Sequence, residues 1–118
     1  MTQGPTGIVH ISNDVLASLV GYAALESYGV VGMASPTLVD GVFKLLPAQK
    51  LRKGVVVTGA GDGVELDLYV VLEHGTNLAE VSHNLASTAR YVLTEMADVA
   101  VTRADVHVMG IKVRQGRS

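Results

Sequence analysis

The sequence predicts an α+β domain in which a small mixed β-sheet has two long helices packed on one face, in the order β-α-β-short α-β-β-α-β. Two patterns support this fold class. In residues 64 to 73 every second side chain, beginning with Val64, is aliphatic, which is typical of a strand with one face in a core. Between Leu78 and Met96, apolar residues recur at intervals of three and four, which is typical of a helix with one buried face.

The N-terminal part of the chain carries the signals of a strand followed by a helix. Residues 1–6 predict a flexible tail, and the next apolar residues predict a short strand formed by Ile8, Val9 and Ile11. Ser12 is a suitable helix N-cap, and apolar residues then continue at helical spacing to about Tyr28. Gly29 would end this helix, and GVVGM at residues 29–33 predicts the next short strand.

The segment LVDGVFKLL, residues 38–46, predicts a short helix. Its apolar residues follow a three-to-four spacing and form one stripe: Leu38, Val39, Val42, Leu45 and Leu46. Gly41 inside the segment costs roughly 1 kcal/mol relative to alanine, and Pro47 would stop the helix. Because so short a helix is unstable alone, we expect it to lean on the sheet or on a neighbouring molecule.

A β-hairpin is predicted next. Val55 to Val57 form its first strand, and GAGDG at residues 59–63 forms the connection. In the second strand, one face is expected to enter the core: Val64, Leu66, Leu68, Val70 and Leu72. A phosphate-binding loop is disfavoured for GAGDG because a strand pattern follows it, whereas such loops open a helix.

A second helix and a final strand complete the predicted domain. Asn77 can cap the helix, whose expected buried stripe is Leu78, Val81, Leu85, Ala89, Val92 and Met96. The final strand runs from about Val99 to Val113, with a shift of phase at Gly110 that predicts a β-bulge. Residues 7–113 therefore form one domain, and residues 114–118 are expected to form a flexible C-terminal tail.

The composition excludes several classes of function. The 118 residues contain no cysteine, which rules out disulfides, thiolate catalysis and cysteine-based zinc sites. A net charge of −2 gives no long-range attraction to nucleic acid or anionic lipid. No apolar run approaches the ~20 residues of a membrane-spanning helix, and no signal peptide is visible at the N-terminus. We therefore expect a cytoplasmic protein.

The residues that could support catalysis or metal binding form no recognised motif. The four histidines, His10, His74, His83 and His107, show neither an i, i+4 pair nor an HExxH sequence. Glu65 and Asp67 share one strand face, where both are expected to point to solvent. The proximity of His107 to Asp105 is too common a feature to indicate catalysis. We expect no enzyme activity, no catalytic or metal-binding residues and no cofactor.

A resemblance gives the chain a family. The motifs GIVHIS, YGVVGM, LVDGVFKLL, KGVVVTG, VELDLYVVLEHG, NLAEVSHNLASTARYVLTEM and VHVMGIKV resemble those of the alkaline-shock proteins. These are the Gls-type envelope stress response proteins of Gram-positive and related bacteria, and the resemblance extends from about Gly7 to Val113. It implies a small cytoplasmic protein without enzyme activity, which associates with itself or docks to a protein partner, in some members a membrane-embedded one.

Three functions follow as hypotheses. The first is a non-catalytic interaction protein in cell-envelope homeostasis. The second is a regulatory module linked to a small ligand or to lipid metabolism. The third is an RNA-binding domain, for which the basic residues near positions 50 to 53 and 112 to 117 would be needed, but few aromatic side chains are available for stacking.

An interface is predicted where apolar and basic side chains lie together, at Val42, Phe43, Leu46, Lys50, Arg52 and Lys53. Phe43 is the only phenylalanine in the chain, and cations flank it, as at a subunit interface or a peripheral membrane contact. We expect Phe43→Ala to weaken self-association or partner binding more than stability.

Overall fold

The computed structural model describes residues 11–37 and 44–113. In these ranges the chain forms α1 (Asn13–Leu25), β1 (Val30–Met33), a 3-10 helix (Ala48–Gly54), β2 (Val55–Ala60), β3 (Gly63–Glu73), α2 (Leu78–Ala97) and β4 (Val101–Lys112). The predicted tails, and Ile8 and Val9 of the predicted first strand, lie outside the described residues. Ile11 lies in no strand.

β3 is the central strand of a mixed sheet. β4 pairs with it in parallel from Val64 to Glu73, and so occupies one whole edge. The other edge is shared by two antiparallel strands: β2 pairs with the first part of β3, and β1 with residues 70 to 72. The segment β3–α2–β4 is therefore a βαβ unit, in which the helix returns the chain so that β4 runs parallel to β3. The predicted α+β class and mixed sheet are confirmed.

The core forms on the face of β3 that the alternation predicts. Leu66, Leu68, Val70 and Leu72 are each 0% exposed, and they belong to one cluster with the buried residues of both helices. Both helices therefore cover the same face of the sheet, as expected from the sequence. Burying an aliphatic side chain of this size contributes roughly 1.5–3 kcal/mol, so the four residues together contribute substantially to the stability of the domain.

The helix caps follow the sequence signals closely. The Ser12 hydroxyl accepts a hydrogen bond from the Val15 amide at 3.2 Å, and the Asn77 side chain accepts one from the Glu80 amide at 3.0 Å. α1 ends at Leu25, earlier than the predicted end near Tyr28. In α2 the predicted stripe is buried from Val81 to Val92.

The two ends of the predicted α2 stripe are wrong. Leu78 is 40% exposed and Met96 is 67% exposed. Both lie in the terminal turns of the helix, where fewer neighbouring elements flank a side chain. Leu93, which the predicted stripe omitted, is fully buried instead.

The prediction of a helix through Leu46 is wrong for its last residues. Leu45 forms an isolated antiparallel bridge with Ala34, and the Leu46 amide donates to the Met33 carbonyl at 2.8 Å. Leu45 and Leu46 thus lie beside the end of β1 in an antiparallel pairing, not within a helix. Residues 38–43, the rest of the predicted helix, lie outside the described residues.

β4 contains the predicted bulge. Val108 pairs with Val70 of β3, and Gly110 pairs with the next residue, Val71, so that Met109 is the extra residue. This confirms the phase shift expected at Gly110.

Within the described ranges, no helix combines the length and the apolar character that crossing a bilayer requires.

Candidate functional site

The face of the sheet opposite the helices carries a cluster of polar side chains. Three register pairs between β3 and β4 build it: Glu65 beside Arg103, Asp67 beside Asp105, and Tyr69 beside His107. Paired residues point to the same side of a sheet, and these pairs alternate with the buried residues of β3. We call this side the outer face and these six residues the outer-face cluster.

Arg103 lies at the centre of the cluster. Its Nη2 donates to Glu65 Oε1 at 3.1 Å and to Asp67 Oδ2 at 3.3 Å. Its Nη1 donates to Asp67 Oδ1 at 3.3 Å and to Asp105 Oδ2. One planar guanidinium group, with its fixed fork of N–H donors, therefore holds three carboxylates.

His107 extends the cluster along β4. Its Nε2 lies 2.8 Å from Asp67 Oδ1, so the Asp67 carboxylate is shared between Arg103 and His107. The imidazole ring also stacks on Tyr69, with ring centroids 4.6 Å apart and an interplanar angle of 12°. Asp105 is the carboxylate nearest to His107 in sequence, whereas the fold places His107 against Asp67 across the strands.

The electrostatics of the cluster keep its central groups charged. Hydrogen bonds from Arg103, and then from His107, hold the pKa of Asp67 below its usual value. Hydrogen bonds to Asp67, Glu65 and Asp105 raise the pKa of Arg103 further above its already high value. Neither group therefore exchanges a proton near neutral pH, where a general acid or base must do so.

The cluster has a surplus of negative charge and is accessible to solvent. Three carboxylates face one guanidinium, which leaves two negative charges when His107 is neutral. The Asp67 side chain is 18% exposed, whereas those of Arg103 and His107 are about 40% exposed. Nowhere in residues 11–37 and 44–113 do three or more histidine or acidic side chains form a group suited to a metal ion.

The outer face is covered at the end of the sheet where β1 lies. Val71, whose side chain follows the outer-face phase of β3, is 0% exposed. Its neighbour on β1 is Gly32, and a Cβ atom on Gly32 would lie 3.0 Å from Cδ2 of Leu45. Leu45 therefore lies over this end, and the accessible surface is the part that contains the cluster.

Four of the six predicted interface residues lie in the described part of the chain. Val42 and Phe43 lie outside the described residues, so the prediction for Phe43 stays a prediction. Leu46 is half-buried and packs against the hydrophobic core. The three basic residues, Lys50, Arg52 and Lys53, are exposed on the 3-10 helix.

Among the described residues, the basic side chains that an RNA-binding function would need lie at opposite edges of the sheet. The 3-10 helix leads directly into β2 on one edge, whereas Lys112 ends β4 on the other. The Asp14 carboxylate also lies 3.9 Å from Nε of Arg52 and partly offsets its charge. The described cations thus form no continuous stripe along which a nucleic-acid backbone would lie.

Arg103, at the centre of the outer-face cluster, is a residue that sequence reasoning missed. The sequence signal that could have revealed it is the alternation Arg103, Asp105, His107, which matches the alternation Glu65, Asp67, Tyr69 on the preceding strand. Recognising the cluster requires knowing that β4 pairs in parallel with β3 and in which register. A one-residue change of register would have placed these groups on opposite faces.

Comparison with known proteins assigns the chain to a family. The family model of the alkaline-shock proteins, described as a family with a cell envelope-related function, matches residues 1–113. YloU, an uncharacterized protein of Bacillus subtilis, is 34% identical over 108 residues, which cover 91% of this chain and 90% of YloU.

Two further relatives agree with this assignment. Spy1614, an uncharacterized protein of Streptococcus pyogenes serotype M6, is 36% identical over 91% of this chain and 89% of its own length. YqhY, an uncharacterized protein of Bacillus subtilis, is 29% identical over 90% of this chain and 78% of its own length. No solved structure matches the chain at a significant level. The chain therefore belongs to the alkaline-shock protein family, a family with a cell envelope-related function.

Proposed function

We propose that this protein is a non-catalytic interaction protein of the cell envelope, which docks a protein partner on the outer face of its sheet and also associates with copies of itself. The cell envelope-related function of the family supports the setting. The outer-face cluster supports docking as the mode of action, and it is the observation that carries the proposal.

The cluster suits recognition because its side chains are already ordered. Arg103 is held by Glu65, Asp67 and Asp105, and His107 is held by Asp67 and the Tyr69 ring. Fixing a long side chain on binding costs about 0.5–1.5 kcal/mol, and side chains that are fixed beforehand avoid part of this cost. A partner would thus meet a preorganised set of acceptors and an aromatic pair.

Acid–base catalysis fits the cluster less well. Asp67 has a lowered pKa and Arg103 a raised one, so the interactions move both groups away from neutrality. Active sites usually shift the pKa of an acid or base toward the working pH. The cluster resembles an ion-pair network that orients charges rather than one that transfers protons.

The charge of the outer face indicates the chemistry of the partner. Its surplus of carboxylates favours a partner segment that contains lysine or arginine. The cytoplasmic loops of membrane proteins carry an excess of these residues. The partner in our proposal is therefore a membrane-embedded protein with a basic cytoplasmic segment, which would hold this protein at the cytoplasmic side of the envelope.

Site-specific photo-crosslinking in cells tests the proposal. Val56 pairs with Asp67 on the outer face and is 38% exposed, so a photo-reactive amino acid at this position would report a docked partner. We expect a cross-link to a membrane protein that Asp105→Lys abolishes, because this substitution reverses a charge of the acidic outer-face cluster. The matched control is Glu95→Gln on the exposed side of α2, which should leave the cross-link intact.

Two results would overturn the docking proposal. One is a cross-link pattern that Asp105→Lys does not change although the variant remains folded. The other is the same set of cross-linked proteins when the photo-reactive group is placed at Glu95, because this would indicate random encounters rather than docking on the outer face.

A further inference from the structure

β4 forms one edge of the sheet. Within residues 11–37 and 44–113, β3 is the one strand that pairs with β4, so the side of β4 that faces away from β3 has no strand beside it. Along such an edge, every second residue directs its N–H and C=O groups away from the neighbouring strand. This row of backbone groups can pair with an extended segment of another chain.

The middle of this edge is regular, whereas both ends are modified. At the start, the Arg90 guanidinium of α2 donates to the Val101 carbonyl at 2.9 Å, and the register shifts before Arg103. Towards the other end lies the bulge at Met109. Between them, residues 103–108 pair one for one with β3. Bulges and covering side chains are common protections of sheet edges. The regular stretch matches the ~5–6 residues of a typical strand, so it has room for one added strand.

The side chains of this regular stretch alternate between the two faces of the sheet. Three of them belong to the outer-face cluster, and the other three lie on the side that the helices cover: Ala104, Val106 and Val108. None of these three is fully buried, and Val108 is 38% exposed, whereas its register partner Val70 is 0% exposed. The helix-covered side therefore has apolar surface left at β4, against which the side chains of an added strand could pack.

We propose that residues 103–108 of β4 bind an extended segment of the partner protein as an additional strand of the sheet. The segment places apolar side chains on the helix-covered side and lysine or arginine side chains on the outer face. This inference rests on the docking in the proposed function and specifies its geometry. In strand addition, backbone hydrogen bonds provide affinity and alternate side chains provide specificity.

The charge of the edge specifies the basic side chains. Asp105 lies on β4 itself, and its side chain is 52% exposed, compared with 37% for Glu65 and 18% for Asp67. Adjacent strands lie ~4.8 Å apart, so a residue of the added strand would lie directly beside Asp105. Opposite charges at such positions stabilise a strand pair. A lysine or arginine there would also reduce the surplus of negative charge in the cluster.

The same charges disfavour a second copy of this chain as the added strand. Two β4 strands side by side would bring two outer-face clusters together on one face, each with a surplus of carboxylates. The chain's own N-terminal segment is also a poor candidate. The Asn13 side chain donates to the Val57 carbonyl at 3.3 Å, so the chain enters α1 beside β2, at the opposite edge of the sheet. Residues 1–10 also contain no lysine or arginine.

Binding of two synthetic peptides tests the backbone contact. The peptide KVKVKVK presents lysine on one face of a strand and valine on the other. A second peptide has the same sequence, but its central valine and the adjacent lysine are N-methylated, which removes one N–H donor from each edge and leaves every side chain and charge in place. We expect the N-methylated peptide to bind at least tenfold more weakly, because a methyl group on the paired edge prevents the strands from approaching.

Two charge variants test the position of the peptide. Asp105→Lys should weaken the binding of KVKVKVK at least tenfold. Glu95→Lys is the matched control, because it changes the net charge equally on the exposed side of α2, and it should leave the affinity unchanged. Circular dichroism should show that both variants are folded.

Hydrogen exchange locates the added strand residue by residue. KVKVKVK should slow the exchange of alternate amides in residues 103–108 and leave the amides of β2 unchanged. Slow exchange of all amides in residues 103–108 without peptide would overturn the inference. If this protection rises with protein concentration, a second copy covers the edge, and if it does not, another part of this chain does.

The binding results separate this inference from the proposed function. Equal binding of both peptides, lost in Asp105→Lys, would overturn strand addition while leaving a charge-dependent contact on the outer face. No binding of KVKVKVK at millimolar concentration would also overturn strand addition. In both cases the cross-link from Val56, which lies on β2 across the sheet from β4, decides separately whether a partner docks.

Discussion

Arg103 binds both carboxylate oxygens of Asp67 across the parallel pair of β3 and β4, although 36 residues separate the two in sequence. The contact ties the edge strand to the central strand on the outer face, in addition to the backbone ladder. Bidentate pairs of this kind fix geometry as well as charge. Because the Arg103 side chain is 40% exposed, water screens the pair, so its contribution to stability is small and its main effect is to order the cluster.

We predict that Arg103→Gln lowers the thermal unfolding midpoint of the protein. The substitution removes the cation that three carboxylates share, and Glu65, Asp67 and Asp105 then repel one another. The loss should be smaller at high salt, which screens this repulsion. Thermal melts at low and high ionic strength measure both effects, and a midpoint that is equally lowered at all salt concentrations would contradict the electrostatic cause.

A double-mutant cycle distinguishes loss of the interaction between Arg103 and Asp67 from a general loss of stability. Adding Asp67→Asn to Arg103→Gln should recover part of the lost stability, because one of the repelling carboxylates becomes neutral. Arg90 offers a control, since its guanidinium donates to the Val101 carbonyl at 2.9 Å and no carboxylate is involved in that hydrogen bond. Arg90→Gln should show no such recovery when it is combined with Asp67→Asn.

Asp67 gives the protein a dependence of stability on acid pH. Its pKa is lower in the folded chain than in the unfolded chain, where an aspartate titrates near pH ~3.9. Its contribution is therefore complete above that value and is lost as the pH falls through the lower folded pKa. The difference in urea midpoint between the wild type and Asp67→Asn should be constant near neutral pH and should shrink below about pH 4. A difference that grows in acid would contradict the lowered pKa.

The sequence was sufficient for the elements with strong periodic patterns and insufficient for the contacts between them. The alternation in β3, the caps at Ser12 and Asn77 and the bulge near Gly110 are local features, and the structure confirms them. Arg103 could not be assigned, because its partners depend on the order and direction of strands. Strand pairing is a tertiary property that local spacing leaves open.

The segment before the 3-10 helix shows a second limit of sequence reasoning. Leu45 and Leu46 have helical spacing with the preceding apolar residues, yet Leu45 lies in a bridge opposite Ala34 and the Leu46 amide donates to the Met33 carbonyl. A short apolar run fits a buried strand or a helix equally well, so tertiary contacts decide between them. Here the end of β1 provides the partner, because the Met33 carbonyl accepts the hydrogen bond from the Leu46 amide.

Burial along α2 predicts different costs for two substitutions in the same helix. Leu85 is 1% exposed, and Leu85→Ala should lower the free energy of unfolding by about 2–5 kcal/mol through lost burial and a cavity. Met96 is 67% exposed, so Met96→Ala should change the free energy of unfolding by no more than about 0.5 kcal/mol. Urea titrations of both variants measure the difference, and similar losses would show that the end of α2 is covered.

The β2–β3 hairpin contains two glycines with different roles. Gly61 has a φ of +59° with open space around it, so Gly61→Asn should be tolerated, because asparagine adopts left-handed backbone angles more readily than other residues. Gly63 lies against the backbone before β4, and a Cβ atom there would come within 2.4 Å of the Ala100 carbonyl oxygen. The Val64 amide donates to that same oxygen at 2.9 Å, so the clash cannot be relieved without disturbing the start of the parallel pair.

Gly63→Ala should therefore destabilise the domain by about 1–3 kcal/mol, the usual cost of overpacking, whereas Gly61→Asn should change the free energy of unfolding by less than about 1 kcal/mol. Hydrogen exchange tests where in the domain Gly63→Ala disturbs the structure. The Val64 amide should lose protection in Gly63→Ala before the amides in the middle of β3 do, because the displaced contact lies where β4 begins. Equal exchange along all of β3 would indicate global unfolding and would contradict a local clash with Ala100.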